Sequence, residues 1–168
     1  MKHILSVLVN NQAGVLSRVA GLFSRRGFNI DSLAVGVTNE DGISRMTIVV
    51  ESDENTVDQV QKQLAKLIDV IKVEKLDKEN SVHRELALIK VRADTSVRSE
   101  IMQIAEVFRA SIVDISKSTL TIEISGSGSK VEAMQTMLRP FGILEDVRTG
   151  LISLERGEKT IRSNSEKY

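Results

Sequence analysis

"HILSVLVNNQAGVLSRVAGLF" (His3–Phe23) changes its period halfway along, and that change decides the fold. Up to Val9 the run is dense in Ile, Val and Leu and reads as a buried strand. From Gly14 to Arg26 the spacing turns helical: Val15, Val19 and Leu22 form one row, with Leu16, Ala20 and Phe23 beside it. Gly27 is the expected helix stop. Working outward, "FNIDSLAVGV" reads as a second strand, and "TNEDG" with Asp41-Gly42 as a hairpin turn. "SRMTIVV" alternates Met46, Ile48 and Val50 with Arg45, Thr47 and Val49, the pattern of a half-buried strand. Ser52, Asp53 and Asn55 are candidate caps for a helix carrying Val57, Val60, Leu64 and Leu67 on one face. "DVIKVEKL" closes the unit, whose order is βαββαβ.

The plan then repeats. After the polar stretch "DKENS" (Asp77–Ser81), "ELALIKV" is a strand, and the next helix presents Val97, Ile101, Ile104, Ala105 and Phe108. "SIVDIS" and "LTIEIS" are strands joined by a tight turn near Lys117 and Ser118. A helix with Val131, Met134, Met137 and Leu138 follows, then a strand from about Ile143 to Leu154. The expected fold is α+β, two tandem ferredoxin-like βαββαβ units. The expected domains are residues 1–77 and 83–158, with 159–168 a mobile tail that lacks apolar periodicity. The copies differ at one place. Where the first has "NNQAGVL" (Asn10–Leu16), the second has "RADTSVR" (Arg92–Arg98), with neither glycine nor asparagine.

Composition narrows the function classes. The 168 residues carry 23 basic and 23 acidic side chains, so the formal net charge is zero. Up to Asn80 there are 10 basic and 11 acidic residues, leaving 13 and 12 after it, so neither half is a nucleic-acid-binding arm. Aromatics at 3% are too sparse for base-stacking platforms. The absence of cysteine excludes disulfides, zinc thiolates and thiol catalysis. The longest apolar runs are far short of a membrane span, and "MKHILSVLVNNQ" has too short an apolar core for a signal peptide, so a cytoplasmic protein is expected.

Catalytic constellations are missing. "GSGSK" (Gly126–Lys130) lacks the spacing of a phosphate loop, and Lys130 is followed by Val131 rather than Ser or Thr. A flexible lead-in capped by Ser129 accounts for it better. His3 and His83 have no partners at metal or nucleophile spacing, and Asp31, Glu51, Asp53, Asp114 and Glu123 are scattered. "NNQAGVL" itself allows two readings. It is a plain strand-to-helix turn, or a small site in which helix N-terminal amides meet an anion. On the second reading Gly14 lets backbone approach the ligand, and Asn11 offers donor and acceptor together, as an α-amino acid requires. Asn29, with Ile30 as apolar wall, opens strand two.

Taken together, "LSVLVNNQAGVLSRVAGLFSRRGFNIDSL", "SRMTIVV", "QLAKLIDVIKV", "RELALIKV", "FRASIVDIS" and "GLISLERG" resemble the small, regulatory subunits of acetolactate synthase (acetohydroxyacid synthase) over nearly the whole chain. The resemblance implies an N-terminal ACT domain, an amino-acid-binding βαββαβ module, and a C-terminal ACT-like domain. It implies a non-catalytic homodimer that activates a separate large catalytic subunit and confers feedback inhibition by valine. Thiamine diphosphate, magnesium and FAD are expected on that subunit and no cofactor in this chain; nucleic acid and membrane are not expected partners. The implied valine site is Asn11, Ala13, Gly14, Val15 and Leu16, with Asn29 and Ile30 contributed by the partner domain. Val35 and Gly36 are possible neighbours. A free-standing amino-acid sensor acting on another enzyme or a transcriptional partner, and a catalytic ferredoxin-like protein, are the alternatives.

Overall fold

The structure is a computed structural model and describes residues 1–163; part of the expected tail, residues 164–168, lies outside the described residues. Two compact units are present. Among the described residues, one comprises Met1–Val82 and Leu151–Ser163, the other His83–Gly150.

In the first unit the elements are β1 (Lys2–Asn10), α1 (Val15–Arg25), β2 (Ile30–Val37), β3 (Ile43–Glu51), α2 (Glu54–Ala65) and β4 (Val70–Leu76). The strands form an antiparallel sheet in the order β2–β3–β1–β4. Period decides which side is buried. Leu5, Val7 and Val9 of β1 meet Met46, Ile48 and Val50 of β3 and the inner faces of both helices, with Phe23, Val57, Val60 and Leu64 at the centre. Truncating a core aromatic such as Phe23 to alanine costs about 3–5 kcal/mol. Gly27, at φ 69, ends α1. Its N–H donates to the Ser24 carbonyl at 3.1 Å and the Phe28 N–H to the Phe23 carbonyl at 3.0 Å, the doubly bonded C-terminal cap that a left-handed residue permits. Of the three candidate caps for α2, Asp53 fills the role, accepting from the Thr56 N–H at 3.0 Å.

The second sheet face of this unit is also covered, which alternation in β3 does not foretell. Thr47 and Val49 are buried as well as Met46, Ile48 and Val50. The cause is the returning chain. The single strand expected from about Ile143 to Leu154 is two, β8 (Ile143–Arg148) and β9 (Ile152–Glu155), separated at Gly150, whose φ is 80°. Leu151 packs against Ile4, Val49 and Leu76, its N–H donating to the Ser32 hydroxyl at 3.1 Å. Beyond β9, Ile161 is buried and Arg162 pairs with Glu40 at 2.7 Å. Under this strap lie Ser6, Lys72 and Glu74, all buried, and Arg45, whose Nε donates to the Ser6 hydroxyl at 2.8 Å. Burial, then the Glu155 carboxylate, push the Glu74 carboxyl up, while Lys72, Arg45 and Lys159 pull it down.

The second unit repeats the order with β5 (Ser81–Arg92), α3 (Arg98–Val107), β6 (Ser111–Ile115), β7 (Thr119–Gly126), α4 (Gly128–Leu138) and β8. The strand order β6–β7–β5–β8 matches that of the first unit. Its core joins Ala87, Ile89 and Val91 to Ile122 and Ile124 and to Ile101, Val131, Met134 and Leu138. Met137, expected on the buried face of α4, is exposed, and the cap of α4 is Ser127 rather than Ser129. α3 ends as α1 does, with Ala110 N–H to Ala105 carbonyl at 2.8 Å and Arg109 N–H to Glu106 carbonyl at 2.9 Å. Here the left-handed position is held by Arg109 at φ 53 rather than by glycine.

Candidate effector site

The turn from β1 into α1 is built by a short set of backbone bonds. The Asn10 N–H donates to the Asp69 carbonyl and the Asn11 N–H to the Gly42 carbonyl, both at 2.8 Å, which pins the loop to the entry of β4 and to the β2–β3 hairpin. The Gln12 N–H reaches the Asn10 carbonyl at 3.0 Å and the Val15 N–H the Gln12 carbonyl at 3.4 Å. Gly14 stands at the helix N-cap with φ 85 and ψ −8, left-handed, and no side chain caps the helix. The N–H groups of Ala13, Gly14, Leu16 and Ser17 therefore meet no protein acceptor among the described residues. Uncommitted amides at a helix start carry partial positive charge and suit a carboxylate.

A cation lies beside them. A Cβ placed on Gly14 would come within 3.2 Å of the Arg18 Nη1. The Arg18 guanidinium is held from its other side by Asp69, with Nε at 2.7 Å and Nη2 at 2.5 Å from one carboxylate oxygen. This leaves Nη1 directed past Gly14. Nothing in the local sequence couples residues 18 and 69; the closeness of α1 to the start of β4 does.

Of the seven residues expected in the site, five fall within the six-residue stretch Asn11–Leu16 at this corner. Asn11, Ala13 and Gly14 are exposed, and Leu16 is 46% exposed. Val15 is buried in the core, so only its backbone reaches the corner. Asn29 is exposed and Ile30 half-buried. These two lie elsewhere. Ile30 aligns with Val50, which aligns with His3, whereas Asn10 aligns with Ile43. Seven strand residues, roughly 23 Å, separate the two ends of the sheet. A single chain thus does not bring Asn29 to Gly14.

Other sequence candidates are accounted for locally. The His3 Nε2 lies 3.1 Å from the Ser52 carbonyl and its Nδ1 3.6 Å from Glu54. In "GSGSK" the Lys130 ammonium turns back to the Ser125 carbonyl at 3.0 Å, filling the loop with its own side chain. Among the described residues no group of three or more His, Cys, Asp or Glu is placed to hold a metal ion, and no helix is long and apolar enough to cross a membrane.

Comparison with known proteins covers both units. Residues 5–72 match the family model described as the AHAS small subunit-like ACT domain, and residues 84–157 the model described as the small subunit of acetolactate synthase. The acetolactate synthase small subunit of Mycobacterium leprae is 54% identical over 159 residues, 95% of this chain and 94% of that protein. A probable acetolactate synthase small subunit of Archaeoglobus fulgidus is also 54% identical, over 95% of this chain and 99% of its own length. The crystal structure of the acetolactate synthase small subunit from Thermotoga maritima superposes with a TM-score of 0.89 at 45% identity, covering 95% of this chain and 99% of that one.

Proposed function

Because this chain belongs to the acetolactate synthase small-subunit family and is a regulatory, non-catalytic subunit, we propose that it activates the catalytic subunit and makes that subunit sensitive to valine. The thiamine diphosphate, magnesium and FAD of the reaction belong on the catalytic subunit, and the complex works in the cytoplasm. The effector binds where Asn11, Ala13, Gly14, Val15 and Leu16 of one protomer meet Asn29 and Ile30 of a second copy in a homodimer. The open corner at Gly14 carries the reading, since its uncommitted amides and the Arg18 Nη1 suit the effector's carboxylate. The side-chain oxygens of Asn11 and Asn29 accept from the ammonium. Leu16 and Ile30 supply apolar surface for a branched side chain.

Two-fold symmetry produces two equivalent sites. A ligand that touches both protomers favours one dimer geometry, by no more than its differential affinity for the two. A pocket of this kind separates ligands by about 1–3 kcal/mol per methylene, so it selects valine over alanine. The test mixes purified chain with the catalytic subunit and follows acetolactate formation. Higher activity that added valine lowers is expected; a catalytic subunit indifferent to the chain refutes the proposal.

A further inference from the structure

The two copies of the strand-to-helix corner are anchored alike. The Ala93 N–H donates to the Ser118 carbonyl at 2.8 Å, just as the Asn11 N–H donates to the Gly42 carbonyl in the first unit. Five residues beyond each anchor they part. The first unit has Leu16, an apolar side chain that leaves the corner open. The second has Arg98, whose guanidinium turns back into the corner. Its Nε and Nη2 lie 3.3 and 3.0 Å from the Ala93 carbonyl. The same Nη2 lies 2.7 Å from the Ser116 carbonyl and 2.8 Å from the Lys117 carbonyl.

Three carbonyls from two loops thus converge on one charged nitrogen. Converging carbonyl oxygens repel one another and need a donor between them, and a cation satisfies them better than a neutral group. The helix start differs too. Ser96 stands where the first unit has its left-handed glycine, and the Val97 and Arg98 N–H groups both reach the Asp94 carbonyl at 3.0 Å. Of the amides left open in the first copy, that of Leu16 has a bonded counterpart in the second, the Arg98 N–H on the Asp94 carbonyl.

We infer that the second unit carries a self-occupied copy of the effector corner, in which the Arg98 guanidinium sits in place of a ligand cation. This rests on the proposed effector reading for one consequence: each chain offers a single responsive corner. The other consequence stands without that reading. Removing Arg98 leaves a carbonyl-lined hole for a small guanidinium or ammonium ion.

Arg98→Leu, which installs the residue found at the matching place in the first unit, is the test, with methylguanidinium as probe and tetramethylammonium as the ionic control. Amide exchange at Ala93 and Thr119 should accelerate at least tenfold in the variant. Millimolar methylguanidinium should restore most of the protection, and tetramethylammonium none. Wild-type exchange rates in Arg98→Leu, or no rescue by methylguanidinium, overturn the inference. Should that variant not fold, Arg98→Met carries the test, since it keeps an unbranched apolar stem and loses every donor; undisturbed exchange there overturns it equally. Calorimetry of valine on the wild-type chain should give one site per chain, and a second site abolished by Asp94→Ala would place a ligand in the second corner and sink the inference. A wild-type chain that binds no valine overturns the effector reading alone, leaving the exchange and rescue results to decide Arg98.

Discussion

Gly14→Asp separates the two readings of "NNQAGVL" and its cost can be worked from the geometry. The backbone there has φ 85, which costs an L-residue about 1–2 kcal/mol, less for aspartate than for most. An aspartate at a helix N-cap recovers about 0.3–1 kcal/mol from the open amides and the helix dipole. Its Cβ would meet only the Arg18 Nη1, the far end of a flexible side chain that can pair with the new carboxylate. The net loss is about 1 kcal/mol, a thermal midpoint about 2–4 °C lower for a chain of this size. Effector binding should suffer far more. Two carboxylates about 4 Å apart at an effective dielectric of about 20 repel by about 4 kcal/mol, which is about three decades of affinity. Allowing for Arg18, calorimetry should show valine affinity at least a hundredfold weaker, with activation of the catalytic subunit retained. A folded Gly14→Asp chain that binds valine within threefold of wild type refutes the reasoning, and the stretch is then only a turn.

Three further outcomes are expected. Asn29 is exposed in the single chain, so Asn29→Ala should leave the thermal midpoint unchanged while weakening valine binding about ten- to a hundredfold, the worth of about 1–3 kcal/mol for an unpaired amide partner; unchanged affinity removes it from the site. Arg109→Gly relieves a left-handed arginine and should stabilise by about 1 kcal/mol, read as a raised midpoint in urea unfolding; a lowered midpoint would mean that the side chain holds more than the strain costs. Glu74 binds its proton more tightly folded than unfolded, so its contribution is present at low pH and lost as pH rises through the raised value. Thermal midpoints should accordingly fall across that span in wild type and fall less in Glu74→Gln, and parallel curves would contradict the assignment.

The βαββαβ order was legible because each element kept one period and each helix had a punctuating residue, such as Gly27 after α1. α3 lacked that signal, since a left-handed arginine looks like any other in a sequence. The strap was illegible for a different reason. In β9 it is Ser153 that is buried while Ile152 and Leu154 are exposed, the reverse of what apolar alternation suggests. Burial there is set by Leu151 and Ile161, on either side of the strand. At the candidate site, the loop from Asn11 to Leu16 could be found from its glycine and its place before a helix. Arg18 could not, because its role depends on Asp69, 51 residues away. Asn29 and Ile30 could be singled out where strand two opens, but their place on a partner domain came from the family resemblance, and the sheet register places them at the far end of their own chain.

That register makes the central claim testable by complementation between protomers. Gly14→Asp spoils the loop and leaves Asn29 intact; Asn29→Ala does the reverse. Neither homodimer should show tight valine binding. When the two are unfolded together, refolded at equal amounts and titrated by calorimetry, mixed dimers should each carry one intact site and one doubly damaged site, restoring about a quarter of the wild-type sites at wild-type affinity. If the mixture binds no more valine than the separate variants, the site is not shared between two copies of this chain.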